Sequence, residues 1–299
     1  MSKATAIPGG GTGPNSVYRK RGRKAKPAHT VNEWVRETIT NGNENSTQLS
    51  ANQTGTSIFD PVLTELCYRW FCPPGGLIID PFAGGSVRGI VASILGREYI
   101  GVDLSARQIA ANREQAEAIC NGYLPQWHIG DSRNIGALLE NTRGDFLFSC
   151  PPYADLEIYS EDERDLSTLR YPEFRVAYKH VIAEAAALLK PNRFACFVVG
   201  EVRGKDGIYY GFVPDTIAAF EAAGLRYYNE AILVTQAGSL PIRVGKQFET
   251  TRKLGKTHQN VLVFVKGDAR AATEAVGQVE FGAIGGGDDM AGLEVVAHG

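Results

Sequence analysis

Short runs of β-branched and aromatic residues alternate along this chain with longer stretches whose apolar positions recur every three or four residues. The runs Leu77–Asp80, Tyr99–Asp103, Trp127–Gly130, Asp145–Ser149, Phe194–Val199, Ala231–Thr235 and Asn260–Val265 predict seven strands. Several are apolar throughout, as a sheet covered on both faces requires. Helices are predicted over Pro61–Phe71, Val87–Leu95, Ala106–Ala118, Pro172–Leu189 and Pro214–Ala223. The first, fourth and fifth open on a proline, which a first helical turn tolerates because its N–H would be unpaired there anyway. Strand-helix alternation of this kind argues an α/β fold with a doubly wound, mostly parallel sheet. Ligands of such sheets bind beyond the carboxyl ends of the strands, so the residues just past each strand carry the functional information.

The pattern is confined to the middle of the chain. Residues 1–56 start Gly/Pro/Thr-rich, pass through the basic run Arg19–Lys26, and end in an Asn/Thr/Ser/Gln-rich stretch; they predict a mobile basic then polar region. Residues 267–299 predict a Gly-rich acidic tail, leaving 57–266 as one catalytic-sized domain within the 299 residues. The net charge of −2 conceals +7 on residues 1–30 and −5 on residues 267–299, so the body carries −4. Phosphate contacts must then come from local basic patches rather than from the field of the whole molecule. Hydrophobic residues at 43% and charged residues at 21% are ordinary globular usage, which excludes a wholly disordered, collagenous or coiled-coil chain. No apolar run reaches the length of a membrane span or has the form of a signal peptide, so no membrane partner is expected. The five cysteines (Cys67, Cys72, Cys120, Cys150 and Cys196) are widely spread without a Cys-x-x-Cys pair or a histidine at ligand spacing. A disulfide framework and a metal site are both unexpected, and a reducing compartment is the simpler assumption.

Candidate chemistry begins after the first strand, at Asp80-Pro81-Phe82-Ala83-Gly84-Gly85-Ser86-Val87-Arg88-Gly89. Glycines in such a turn let a ligand approach the backbone closely. Ser86 and Arg88 spoil the dinucleotide fingerprint and the serine nucleophile elbow respectively, and no P-loop lysine is present. Asp103-Leu104 closes the second strand 19 residues beyond Gly84, a spacing at which a carboxylate binds ribose hydroxyls. Asp131 follows the third strand and could accept from an adenine amino group. Either aspartate could instead cap the helix it precedes. The fourth strand runs into Cys150-Pro151-Pro152-Tyr153, 71 residues after Asp80 at the first proline. Two prolines fix φ twice and remove two donors, making a rigid turn whose carbonyls can face a cavity, with an aromatic ring at its lip.

These two segments resemble the signatures of the S-adenosylmethionine-dependent DNA amino-methyltransferases, which modify adenine N6 or cytosine N4. Their D-P-F-x-G-x-G motif corresponds to Asp80–Ser86, and their tetrad of Asp, Asn or Ser followed by Pro-Pro and an aromatic corresponds to Cys150–Tyr153. The resemblance spans roughly Thr56–Lys266, includes Ser57-Ile58-Phe59-Asp60-Pro61 as a methionine-side segment, and is greatest to compact phage-borne members. It implies a Rossmann-like class I methyltransferase fold with seven strands, the last of them mixed in direction. It also implies a cytoplasmic location, in a bacterial host if the chain is phage-borne. The cofactor would be S-adenosylmethionine, bound by Phe59, Asp60, Asp80, Phe82, Gly84, Gly85, Asp103, Leu104 and Asp131. Ser86 replaces the second motif glycine, a change that requires Gly85 to take the unusual backbone conformation.

The implied chemistry is base flipping followed by direct methyl transfer, adenine N6 ahead of cytosine N4. Tyr153 would stack on the base and the Pro151 carbonyl would accept from its amino group. Cys150 stands where the family has a better acceptor, so it either fills space beside the Pro151 carbonyl, contributes as a weak acceptor or thiolate, or marks lost chemistry. The partner would be DNA, held by Arg243, Lys246, Arg252, Lys253 and Lys256 on a loop between the last two strands. The same basic segment fits a solvated loop. Competing readings are a Pro-Pro-Tyr enzyme acting on RNA or on a protein glutamine, and a catalytically silent nucleotide- or DNA-binding module. Oligomeric state is not legible.

Overall fold

The computed structural model describes residues 59–153, 158–234 and 240–279, apart from the side chains of 240–243 and 246. Arg19–Lys26, Ser57, Ile58 and the side chains of Arg243 and Lys246 therefore lie outside the described residues.

The first helix, α1 (Pro61–Phe71), begins where local chemistry demands: the Asp60 carboxylate accepts from the N–H groups of Val62 and Leu63, and Pro61 takes the first position. The chain continues through β1 (Leu77–Asp80), α2 (Val87–Ile94), β2 (Glu98–Asp103), α3 (Ala106–Ile119), β3 (Gln126–Ile129), the short α4 (Ile135–Leu138) and β4 (Gly144–Ser149). It then forms α5 (Tyr171–Leu188), β5 (Leu189–Val199), α6 (Phe212–Ala222), β6 (Arg226–Val234), α7 (Leu240–Thr251), β7 (His258–Lys266) and α8 (Ala269–Val276). The seven strands make one sheet in the order β3-β2-β1-β4-β5-β7-β6. β3, β2, β1, β4 and β5 run parallel, whereas β7 enters antiparallel between β5 and β6. The expected Rossmann-like fold with mixed last strands is borne out.

Every residue of β4 is buried, its Phe146-Leu147-Phe148 core in the sheet and Asp145 paired with Lys190 and Arg193. One sheet face packs against α5 and α6 through Phe174, Tyr178, Phe212 and Phe220; the other packs against α1, α2 and α8 through Tyr68, Ile90, Val91 and Ala272. Phe220 stacks on Phe264 of β7 at 4.0 Å between ring centroids, which ties α6 to the antiparallel strand.

Two stretches differ from expectation. The basic segment 243–256 is not a loop: α7 occupies most of it and stops just before Arg252, whose φ of 56° is the left-handed conformation that terminates helices. In the stretch expected as an acidic tail, Asp268 caps α8 by accepting from the Ala271 N–H, and Ala272 and Val276 are buried against the sheet. The helix α6 starts at Phe212, ahead of Pro214, because the Glu201 carboxylate accepts from the N–H groups of both Phe212 and Val213. No helix among the described residues is long and apolar enough to cross a membrane.

Candidate active site

The carboxyl ends of β1, β2 and β4 bring the glycine turn, Asp103 and the Pro-Pro-Tyr segment together. Asp80 lies beneath them rather than among them. It is fully buried, and its carboxylate accepts from Arg88 Nε at 2.6 Å, Tyr99 OH at 2.8 Å, Ser149 Oγ at 2.6 Å and the Phe82 N–H at 3.1 Å. Four donors satisfy the buried charge, and Arg88 neutralises it. Arg88 in turn donates to the carbonyls of Phe82 at 2.5 Å and Ala83 at 2.9 Å, and its guanidinium sits 4.7 Å from the centroid of the Phe59 ring. Phe59 is half-buried with its ring edge-on to Phe148. Asp80 thus shapes the turn from below, and its oxygens are not presented to a ligand.

Above this base the turn is open. Gly84 has φ of 51°, and a Cβ added at Gly84 or Gly85 would meet nothing within 4 Å. The unusual conformation falls on Gly84, not on Gly85 as the substitution at Ser86 required. Ser86 itself sits at ordinary helical angles, φ −72° and ψ −17°, so no glycine is needed there. Its hydroxyl donates to Gln115 Oε1 of α3 at 2.5 Å.

Asp103 is tied to the turn: Oδ2 accepts from the Gly84 N–H at 2.9 Å and Oδ1 from the Ser105 N–H at 2.8 Å. Asn112 closes the same contact from α3 by donating to the Gly84 carbonyl at 2.7 Å. Burial holds the Asp103 carboxyl above its ordinary pKa range, and the two N–H groups oppose that shift without cancelling it. Leu104 and Phe82 are half-buried beside the opening, Phe82 packing against Tyr178. Asp131 behaves differently. It caps the single turn Ser132–Asn134 and forms an ion pair with Arg133 at 2.7 Å; burial alone would raise its pKa, but the bonds from Arg133 bring it below the ordinary range. Asp60 is likewise committed to capping α1.

The Pro-Pro-Tyr segment leaves β4 directly after Ser149. Pro151 is buried, and Cys150, Pro152 and Tyr153 are half-buried. The Tyr153 ring packs edge-on against Phe212 at 5.8 Å, and its hydroxyl accepts from Gln259 Nε2 of β7 at 2.6 Å. Burial raises the Tyr153 pKa first of all; the neighbouring Cys150 thiol, which is within hydrogen-bond reach of the hydroxyl, adds to the shift and Gln259 opposes it. A phenol held on two sides has a fixed ring plane. Sequence reasoning missed Gln259, Arg88, Tyr99, Ser149 and Glu201 as supporting residues. For Arg88 a signal existed: a charged residue one position into an otherwise apolar helix face needs a buried partner, and Asp80 stands eight residues before it.

Of the basic residues, Arg252 and Lys253 follow α7, with Arg252 exposed and 5.2 Å from the centroid of the Phe248 ring. Lys256 is half-buried, with Nζ 3.5 Å from Asn260 Oδ1; burial lowers its pKa against the opposing pull of Glu201. Among the described residues no cluster of His, Cys, Asp or Glu could hold a metal ion, and none of the five cysteines forms a disulfide.

Residues 14–114 match the model of a family described as DNA methylase, a stretch that includes the glycine turn and Asp103 and supports the resemblance carried by Asp80–Ser86. Among solved structures, the chain is similar to TrmN from Thermus thermophilus, at 17% identity and a TM-score of 0.47, over 69% of this chain and 48% of that one. It therefore spans about half the length of that protein. It is also similar to magnesium protoporphyrin IX methyltransferase (ChlM) from Synechocystis PCC 6803 with bound SAM, at 13% identity and a TM-score of 0.46, over 81% of this chain and 100% of that one. A third similar structure is a TehB-like SAM-dependent methyltransferase from Corynebacterium glutamicum, at 17% identity and a TM-score of 0.43, over 77% of this chain and 99% of that one. No curated protein matches the chain.

Proposed function

We propose that this chain is an S-adenosylmethionine-dependent methyltransferase that modifies an exocyclic amine of a DNA base, adenine N6 ahead of cytosine N4. The observation that carries this reading is the adjacency of the glycine turn and the Pro-Pro-Tyr segment. β1 and β4 are neighbouring parallel strands, and the residues that end them, Asp80 and Ser149, are joined side chain to side chain at 2.6 Å. A methyl donor held past one strand and a base held past the next would meet without either crossing the sheet. The family match over residues 14–114 supports DNA as the substrate.

The residues present fit the cofactor. Gly84 and Gly85 leave open space where a side chain would project, and each Asp103 oxygen, having taken one backbone N–H, keeps an acceptor site for a ribose hydroxyl. Bound there, the cofactor supplies a methyl group on a sulfonium, an electrophile. The protein's task is to make the acceptor nitrogen available. A base amine is a poor nucleophile because its lone pair is conjugated with the ring, and a base inside a duplex is out of reach, so the base is flipped out. Tyr153 gives it a stacking surface, worth about 1–3 kcal/mol. The Pro151 carbonyl accepts from the amino group, turning its lone pair out of conjugation. Arg252, Lys253 and Lys256 meet phosphates, so log K for DNA falls linearly with log salt, and neutralising one contacting lysine lowers the slope by about one.

Nucleoside mass spectrometry of DNA from cells expressing the full chain tests the reading against the Tyr153→Ala variant. N6-methyladenine or N4-methylcytosine present only with the wild type supports it and names the base. Neither base in DNA, with methyl groups on RNA or on protein glutamine instead, overturns it.

A further inference from the structure

Between β5 and α6 the chain makes a tight hairpin over residues 202–210 that belongs to neither sheet nor helix layer. Arg203 bridges Tyr209 in antiparallel fashion, Gly204 N–H donates to the Ile208 carbonyl at 2.8 Å, and Tyr210 N–H donates to the Val202 carbonyl at 2.9 Å. The turn is closed by Gly207, whose φ of 84° favours glycine, and by Asp206 Oδ1, which accepts from the Ile208 N–H at 2.9 Å.

The base of this hairpin is fixed to the candidate active site. Tyr210 stacks on Tyr171 at 4.2 Å, Glu201 caps α6, and the first residue of α6, Phe212, is the ring that packs against Tyr153. The tip is rigid too, because the Arg203 guanidinium lies 3.7 Å from the Tyr209 ring centroid and donates to the Gly207 carbonyl at 2.9 Å. Yet this ordered tip exposes Ile208 at 68% and Tyr209 at 43%. Ordering a turn in order to expose its apolar residues gains nothing for folding, and a partner is the physical reason to do it. The surroundings identify the partner's charge. Lys253 lies over the tip so closely that a Cβ on Gly207 would strike its side chain, and Lys205 is exposed on the same turn. Beyond Lys253 come Arg252, Phe248 and Leu254, the last 71% exposed. Aromatic and aliphatic side chains interleaved with cations are the composition that meets stacked bases and phosphates together.

We infer that the 202–210 hairpin is a nucleic-acid contact of its own, in which Ile208 and Tyr209 press against the bases beside the extruded target while Lys205, Arg252 and Lys253 meet the flanking phosphates. This rests on the reading of the site as a DNA methyltransferase and gives that site its second wall. An apolar wedge stabilises an opened duplex and has no comparable task on a strand whose bases are already unstacked.

The test compares the wild-type chain with Ile208→Ala/Tyr209→Ala in methyl transfer from S-adenosylmethionine to plasmid DNA, either double-stranded or denatured to single strands. The expected result is a loss of about tenfold or more in kcat/KM on the duplex, a change of about twofold or less on single strands, and an unchanged melting temperature. Equal activity of the two proteins on both forms overturns the inference, as does an equal loss on both or a lowered melting temperature, which would make the tip part of the core. A wild type that methylates neither form overturns the function reading itself, an outcome distinct from an active wild type matched by its variant.

Discussion

Ser149 donates through Oγ to Asp80 Oδ1 at 2.6 Å, and this one contact couples the two signature segments of the chain. Ser149 immediately precedes Cys150, and Asp80 opens the glycine turn. Strand pairing alone brings their backbones near, but the hydroxyl sets how far the Pro-Pro-Tyr segment stands from the turn. Ser149→Ala should therefore lower kcat more than it weakens cofactor affinity, with a stability loss of about 1–3 kcal/mol from the under-satisfied carboxylate. Asp80→Ala should cost more, about 3–5 kcal/mol, because it strands the buried Arg88 cation. Chemical denaturation and steady-state kinetics on the two variants check both figures, and a Ser149→Ala enzyme with normal kcat would remove the coupling role.

The place of Asp80 shows where sequence reading stops. As the first residue of the motif it was expected to bind cofactor; it is instead a buried anchor, and although Arg88 left a local trace eight residues away, no local pattern announces the donors from β2 and β4, 19 and 69 residues distant. By contrast α1 was legible to its ends, because Asp60 and Pro61 are adjacent in the chain and cap it locally. The central strands β1 and β4 and the end of β5 were legible too, because burial on both faces writes itself into their apolar runs. The helix α7 was not legible, because its charged residues read as loop composition and its left-handed stop falls on Arg252 rather than on a glycine. The 202–210 hairpin was hidden among expected core elements, its cation–ring clamp visible only once Arg203 and Tyr209 are opposed.

Asp103 gives a pH-dependent prediction. Its carboxyl pKa is raised by burial, so it begins to protonate at higher pH than an ordinary aspartate. Protonation removes a charged acceptor for ribose hydroxyls, so cofactor affinity should fall as pH drops through the raised value. Stability should move the other way. Between the ordinary and the raised pKa the folded state binds more protons than the unfolded one, so this group's contribution to stability rises as pH falls through that window. Asp103→Asn should abolish both trends and weaken cofactor binding by roughly 1.5–3 kcal/mol at neutral pH. Calorimetric titration across pH, with thermal melts at the same points, reads the two signs separately.

Tyr153 and Gln259 form a second pair whose separation can be tested. The hydrogen bond at 2.6 Å fixes the phenol, and the ring provides the surface. Tyr153→Phe should keep most of the activity, because the ring and its packing on Phe212 survive. Gln259→Leu should lower kcat modestly and leave cofactor affinity alone, whereas Tyr153→Ala should abolish transfer, with stacking of about 1–3 kcal/mol lost along with the ring's position. If Tyr153→Ala unfolds the protein, the residue is core and its stacking role fails.

Cys150 is where this chain departs most from the family it resembles, and its neighbours now sharpen the question. Its thiol lies beside the Tyr153 hydroxyl, so a substitution there acts on the stacking ring as well as on the base amine. A neutral thiol accepts hydrogen bonds weakly. If the Pro151 carbonyl is the main acceptor, Cys150→Ser should be active, since a hydroxyl is smaller than a thiol, accepts better, and can still meet the phenol. Cys150→Asp should also be active and faster on adenine, because a carboxylate accepts from the amino group better than a neutral thiol. If the thiolate contributes instead, the wild-type rate should climb with pH through the thiol's titration, and Cys150→Ser should flatten that climb. Rate profiles of the three proteins, measured at saturating cofactor, separate the cases. A Cys150→Ser enzyme that binds cofactor and DNA normally yet transfers no methyl group would rule out the space-filling role and make the sulfur itself part of the chemistry.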